Sequence, residues 1–150
     1  MFDPRILKLA DGLVHFSCSV QPGENVLIES IGGNDDLARA LIKAVYAARA
    51  NPFLWLGDKA LDRELLLCCN AEQLKRRAAV DASLMAQMQA YIGVRGGPNA
   101  SETADVPSEK MNEYMKCYWT PVHGEIRVPK AKWVVLRYPS PGMAQLAGMS

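Results

Sequence analysis

The chain has 150 residues, 49% of them apolar, which is enough for one domain with its own core and too apolar for disorder. Its 17 basic and 16 acidic side chains leave a net charge of +1, without the basic excess of a nucleic-acid or membrane-surface protein. No apolar run approaches the roughly 20 residues of a bilayer span, and the amphipathic start MFDPRILKLADGLVHF is not a secretory leader.

Asp3-Pro4 reads as a cap followed by proline at the first helical position. Ile6, Leu9, Ala10, Leu13 and Val14 then recur at helical spacing. Pro22-Gly23 predicts a type II turn. NVLIES is a short buried strand, GGNDD a loop, and Leu37, Leu41, Ala44, Val45 and Ala48 the buried stripe of a second helix. Asn51-Pro52 breaks that helix and FLWL is a second strand, giving a right-handed βαβ unit with parallel strands.

ALDRELLLCC is helical, with Leu61 and Leu65 on one face. Asn70 and Gln73 resemble a capping box for a helix running to about Gln89. AYIGVRG is a third strand, Gly96 to Val106 a polar loop, and Pro107 to Tyr118 a helix. After an irregular stretch rich in proline, KWVVLRY is a fourth strand. A short helical pattern, Ala144 to Ala147, precedes Gly148 as a C-cap, and Ser150 is placed to cap a further helix. No internal repeat is visible. The alternation predicts a single three-layer α/β domain, with a mostly parallel sheet of about four strands flanked by helices.

Four groups of residues invite a chemical reading. Gly32-Gly33 before a helix resembles a phosphate cradle, but the G-x-G-x-x-G pattern is absent and Asp35 and Asp36 would repel a phosphate. His15, His123 and the cysteines Cys18, Cys68, Cys69 and Cys117 lack the count and spacing of a metal site. The same cysteines fit reduced thiols in a cytoplasmic protein. No G-x-S-x-G elbow or recognisable nucleophile–histidine motif is present. The fourth group is YIGVRGGPNASETADVP, which puts Arg95 at the carboxyl end of a strand, where open α/β sheets bind ligands. Gly96 and Gly97 permit close approach, and Asn99, Ser101 and Glu102 add hydrogen-bonding groups. Among the aromatics near the carboxyl end, Trp133 reads as core, with Tyr118, Trp119 and Tyr138 available to core or interface.

The tracts QPGENVLIE, LARALIKAVYAARANPFLW, YIGVRGGPNASETADVPSEKM and VPKAKWVVLRYPSPGMAQLAGMS resemble, in this order, the N-terminal domain of the thermophilic metalloaminopeptidase family of the aminopeptidase T and S type. The resemblance implies a Rossmann-like fold and a cytoplasmic enzyme that removes N-terminal residues from peptides. It implies a divalent metal pair (zinc, cobalt or magnesium) held by Glu, His and Asp side chains of a C-terminal domain beyond Ser150. The chain would then be a family member cut at a domain boundary, with no catalytic or metal residue of its own, no cofactor, and no activity alone. Its role would be to wall the substrate cavity and support homo-oligomer contacts, with Arg95 and Asn99 facing peptide. The alternative readings are a stand-alone α/β binding or interaction module, and a small enzyme with its own site at Arg95.

Overall fold

The computed structural model describes residues 3–149. Its core is a four-stranded sheet of β1 (Asn25–Ile31), β2 (Asn51–Gly57), β3 (Ala90–Arg95) and β4 (Lys132–Arg137), in the order β2-β1-β3-β4 and parallel throughout. The sheet is thus the expected one, with every pairing parallel. Each strand reaches its neighbour through helix, as parallel crossovers require.

Side chains alternate across the sheet, and the two faces carry different layers. Val26, Ile28, Ile92 and Val94 pack against α1 (Pro4–Asp11) and α2 (Asp35–Ala47), through Ala10, Val14, Leu37, Leu41 and Val45. Leu27 and Tyr91 pack on the opposite side against α4 (Ala71–Met85), the end of α5 (Ser108–Tyr114) and the segment after it, while α3 (Lys59–Cys68) buries none of its residues. Leu74, Met85, Cys117, Tyr118 and Val122 fill that layer. Local chemistry starts the helices where expected. The Asp3 carboxylate accepts from Arg5 N at 2.8 Å, and Asp58 accepts from Ala60 N at 2.8 Å. Asn70 Oδ1 accepts from Gln73 N at 2.9 Å, so half of the capping box forms. Gly23 at φ +83° makes the turn before β1.

Several expectations need correction. α1 runs on through a wider turn, Gly12–Ser17, in which Cys18 N bonds back to Leu13 O at 3.0 Å. α4 stops at Met85, because the chain must turn at Gln87 and Met88 to enter β3. The proline-rich stretch read as irregular is helical: α5 continues as a π-type segment, Met115–Arg127, and a last turn, α6 (Val128–Lys130). Pro121 lies inside it, and burial of Cys117, Tyr118, Val122 and His123 outweighs the local cost of proline. Leu61 and Leu65, expected on one face of their helix, are both exposed. The last helix, α7 (Pro141–Leu146), begins earlier than the Ala144–Ala147 pattern, with Ser140 accepting from Met143 N. Gly148 has φ +66°, and the capping role read into Ser150 lies outside the described residues. Trp133 is 45% exposed and is not core, because the α4 layer does not reach over β4.

Candidate functional site

β1 leads to β2 on one side and pairs with β3 on the other, so the topological switch point lies between the carboxyl ends of β1 and β3. The chain leaves β1 into Gly32-Gly33-Asn34 and leaves β3 into Gly96-Gly97. The two exits are in backbone contact. Gly96 N donates to Ile31 O at 2.9 Å, and a Cβ on Gly32 would stand 2.5 Å from the Gly96 carbonyl carbon. Asn34 is buried and its Nδ2 donates to Ile31 O at 2.8 Å. In the first turn of α2 the Asp36 carboxylate accepts from the next backbone N–H, Leu37 N, at 2.8 Å. This loop is therefore filled by its own polar groups and carries acids where a phosphate would sit.

Beneath these loops Glu29, Tyr91 and Arg95 form one network. They share a face, since Glu29 is in register with Gly93, which lies between Tyr91 and Arg95. The Tyr91 hydroxyl donates to Glu29. Arg95 Nη2 donates to Glu29 Oε2 at 3.0 Å and to Tyr91 Oη at 2.6 Å. Burial, reinforced by the Glu29 charge, pushes the Tyr91 phenol up to about 12.

Two concavities flank the network. A cavity of about 490 Å³ has Glu29 and Ile31 at the sheet, and Asp62, Leu65, Leu66, Leu74, Arg77, Tyr114 and Tyr118 on the helices. Burial raises the Asp62 carboxyl and pushes Tyr114 up to about 12. Tyr118 donates to Asp81 at 2.6 Å, and burial raises its pKa as well. A smaller recess of about 260 Å³ adjoins it through Lys59 and Ala100, and is lined also by Arg95, Gly97, Asn99, Arg137, Ser140 and Met143. Arg95 and Asn99 thus share this recess. Asn99 Nδ2 donates to Glu102 at 3.0 Å, and its Oδ1 accepts from Ser101 N at 2.9 Å. The arrangement can bind and orient a polar chain. Among the described residues no serine or cysteine is hydrogen-bonded to a histidine.

The divalent metal pair does not fit the donor sets here. Among the described residues no three His, Cys, Asp or Glu side chains are grouped to hold an ion. His15 is half exposed, 3.5 Å from Asp11. His123 is buried among Trp55, Tyr91, Tyr118 and Trp119, and burial with the neighbouring Arg127 charge lowers it to about 4. The Glu29 carboxylate is committed to Arg95 and Tyr91. Cys18, Cys69 and Cys117 are buried, Cys68 is exposed, and none is in a disulfide.

Glu29, Tyr91 and Arg127 were not singled out from sequence, and His123 was weighed only as a metal ligand. The available signal was a lone acid, Glu29, in an otherwise apolar parallel strand, which must find a partner when both faces are covered.

Comparison with curated proteins finds no match. Among solved structures, wild-type AmpT from Thermus thermophilus superposes with a TM-score of 0.72 at 21% identity, over 95% of this chain and 38% of that one. The chain therefore spans about two-fifths of that protein. An alcohol dehydrogenase superfamily protein from Novosphingobium aromaticivorans aligns over 95% of this chain and 43% of its own at a TM-score of 0.42 and 15% identity. A CurK enoyl reductase aligns over 95% and 44% at 0.39 and 13%. The family model for the thermophilic metalloprotease (M29) matches residues 2–149, nearly the whole sequence, and the chain belongs to that family.

Proposed function

We propose that this chain is the N-terminal domain of a cytoplasmic, metal-dependent aminopeptidase, shaping the substrate cavity and subunit contacts while the metal pair is held by residues outside it. The observation that carries the reading is the family match over residues 2–149. The unsuitability of the donor sets around Glu29, His15 and His123 supports placing the metals elsewhere. In this reading the recess holding Arg95 and Asn99 faces the peptide, as the ligand-binding edge of a parallel sheet would. In this reading the domain binds and orients the peptide, and a metal pair held outside it would supply Lewis-acid chemistry.

The test is to read the gene onward from the codon for Ser150. An open frame encoding a second domain rich in Glu, His and Asp is expected. The joined product should release N-terminal residues from peptides, lose that activity to a chelator and regain it with zinc, cobalt or magnesium. A stop codon with no companion frame, or metal-independent turnover by the joined product, overturns the reading.

A further inference from the structure

Arg127 closes the π-type segment with its side chain directed into the protein, and only 7% of the residue is exposed. Its guanidinium lies 4.6 Å from the centroid of Tyr91, 5.3 Å from that of Trp133 and 6.0 Å from that of Trp119. The Nε atom is buried without a hydrogen-bond partner, and among the described residues no carboxylate pairs with the group. The aromatic faces recover part of the cost of burying a cation, but they leave its Nε–H without an acceptor.

The surface beside Arg127 is unfinished in three further respects. Trp133 and Val135 point to the same face of β4 and are 45% and 40% exposed. β4 is an edge of the sheet. Lys132 N donates to Gln89 O and Tyr138 N to Arg95 O, so the even-numbered residues bond inward and Trp133, Val135 and Arg137 turn their backbone groups outward. Exposed Lys130 and Arg137 stand at the two ends of the strand, and among the described residues neither has an ion-pair partner.

We propose that the free edge of β4 receives an extended acidic segment of another polypeptide, which adds a strand to the sheet, sets an apolar side chain against Val135 and brings a carboxylate to Arg127. Residues two apart on the added strand share a face, so one face supplies both groups. A second copy of this chain is the poorer occupant, because its own β4 would set Arg127, Lys130 and Arg137 against the same cations. A charge-assisted pair at the guanidinium offsets the burial of a cation whose Nε–H lacks an acceptor.

The test titrates the 150-residue chain with a capped peptide, Thr-Val-Thr-Glu-Thr-Val-Thr, and with its Glu→Gln and Glu→Lys versions, following tryptophan emission and amide chemical shifts. The Glu peptide should bind at least tenfold tighter than the Gln peptide, with shifts confined to β4 and the end of the π-type segment. Arg127→Met should erase that preference. Val135→Pro removes an outward N–H while leaving the β3–β4 bonds in place, and should weaken every peptide about tenfold at an unchanged melting temperature. The readouts on the unmodified chain and on Val135→Pro keep the test valid if Arg127→Met misfolds. Equal binding of the Glu and Gln peptides, shifts elsewhere, or no binding overturns the proposal. So does a dimer, seen by sedimentation, that Val135→Pro dissolves and the Glu peptide fails to displace.

Discussion

Arg95 and Glu29 stand 3.0 Å apart across the switch point, one at the end of β3 and the other near the end of β1. Their side chains are 26% and 17% exposed, so the pair is shielded enough to matter and is braced by the Tyr91 hydroxyl. Arg95→Met leaves Glu29 with a single donor and should cost about 1–3 kcal/mol in a denaturant melt. Tyr91→Phe, which keeps the ring, should cost about 1 kcal/mol. A change below the error of the melt in both variants would mean that the network contributes nothing to the fold.

The same guanidinium lines the recess that contains Asn99. In an active enzyme containing this domain, Arg95→Ala should raise KM for dipeptides about tenfold more than for anilides, because only dipeptides offer a carboxylate to it. Asn99→Ala should shift KM less and leave the melting temperature unchanged, since Asn99 is exposed. Equal effects of Arg95→Ala on both substrate types would confine Arg95 to the structural role above.

His123 gives the fold an acid limit. Burial, and next the Arg127 charge, lower its pKa from 6.5 to about 4, so the folded state binds fewer protons than the unfolded state between those values. Its contribution is complete above pH 6.5 and is lost as the pH falls toward 4, by up to about 3 kcal/mol. Urea midpoints measured from pH 7 to pH 4 should decline, and the decline should be shallower in His123→Phe, which keeps an aromatic ring in the cluster. Parallel curves for the two proteins would assign the acid sensitivity to other groups.

Two adjacent glycines should respond very differently to alanine. Gly32 has φ +92°, and a Cβ there would meet the Gly96 backbone at 2.5 Å. Gly33 has φ +74° but open space around it. Gly33→Ala should cost about 1 kcal/mol, for the left-handed conformation alone. Gly32→Ala should cost roughly 3 kcal/mol or more, because backbone must move. Equal costs, measured by thermal or chemical unfolding, would show that the two exits do not hold each other in place.

The last helix ends on Leu146, which is 60% exposed, and Met149 beyond it is 69% exposed. Apolar side chains so placed promote association, and Leu146→Glu should reduce light scattering by concentrated solutions of the chain. A monomer at high concentration, unaffected by that change, would show the patch to be inert.

The strands and their parallel pairing were legible because apolar runs, helical stripes and breakers such as Asn51-Pro52 alternate along the chain. The Pro22-Gly23 turn and the Asp3 and Asn70 caps followed from side-chain chemistry within a few residues. What escaped was set by distant contacts. Pro121 argued locally for a break, while packing of Tyr118, Val122 and His123 against Tyr91 kept the segment helical. Trp133 has the composition of a core residue, but on its face of β4 the helical layer reaches it only through Arg127, and it stays 45% exposed. Arg95 and Asn99 were placed at the sheet edge from the end of a strand and two glycines. The partners of Arg95 were not visible, since Glu29 reaches it only through the β1–β3 register.

That register also bears on how the chain reaches its fold. β1 finds β2 through the single helix between Asn25 and Asn51, but its other neighbour begins at Ala90, after α2, β2, α3 and α4 have been made. Loop closure makes the first pairing fast and the second slow. Stopped-flow refolding should therefore show core substitutions in the 25–57 unit acting on the folding limb. The loop from Ala90 to Lys132 is shorter than that from Val26 to Ala90, so the seam between β1 and β3 is the last to close, and until it does its two open edges are the aggregation-prone surface of the folding chain.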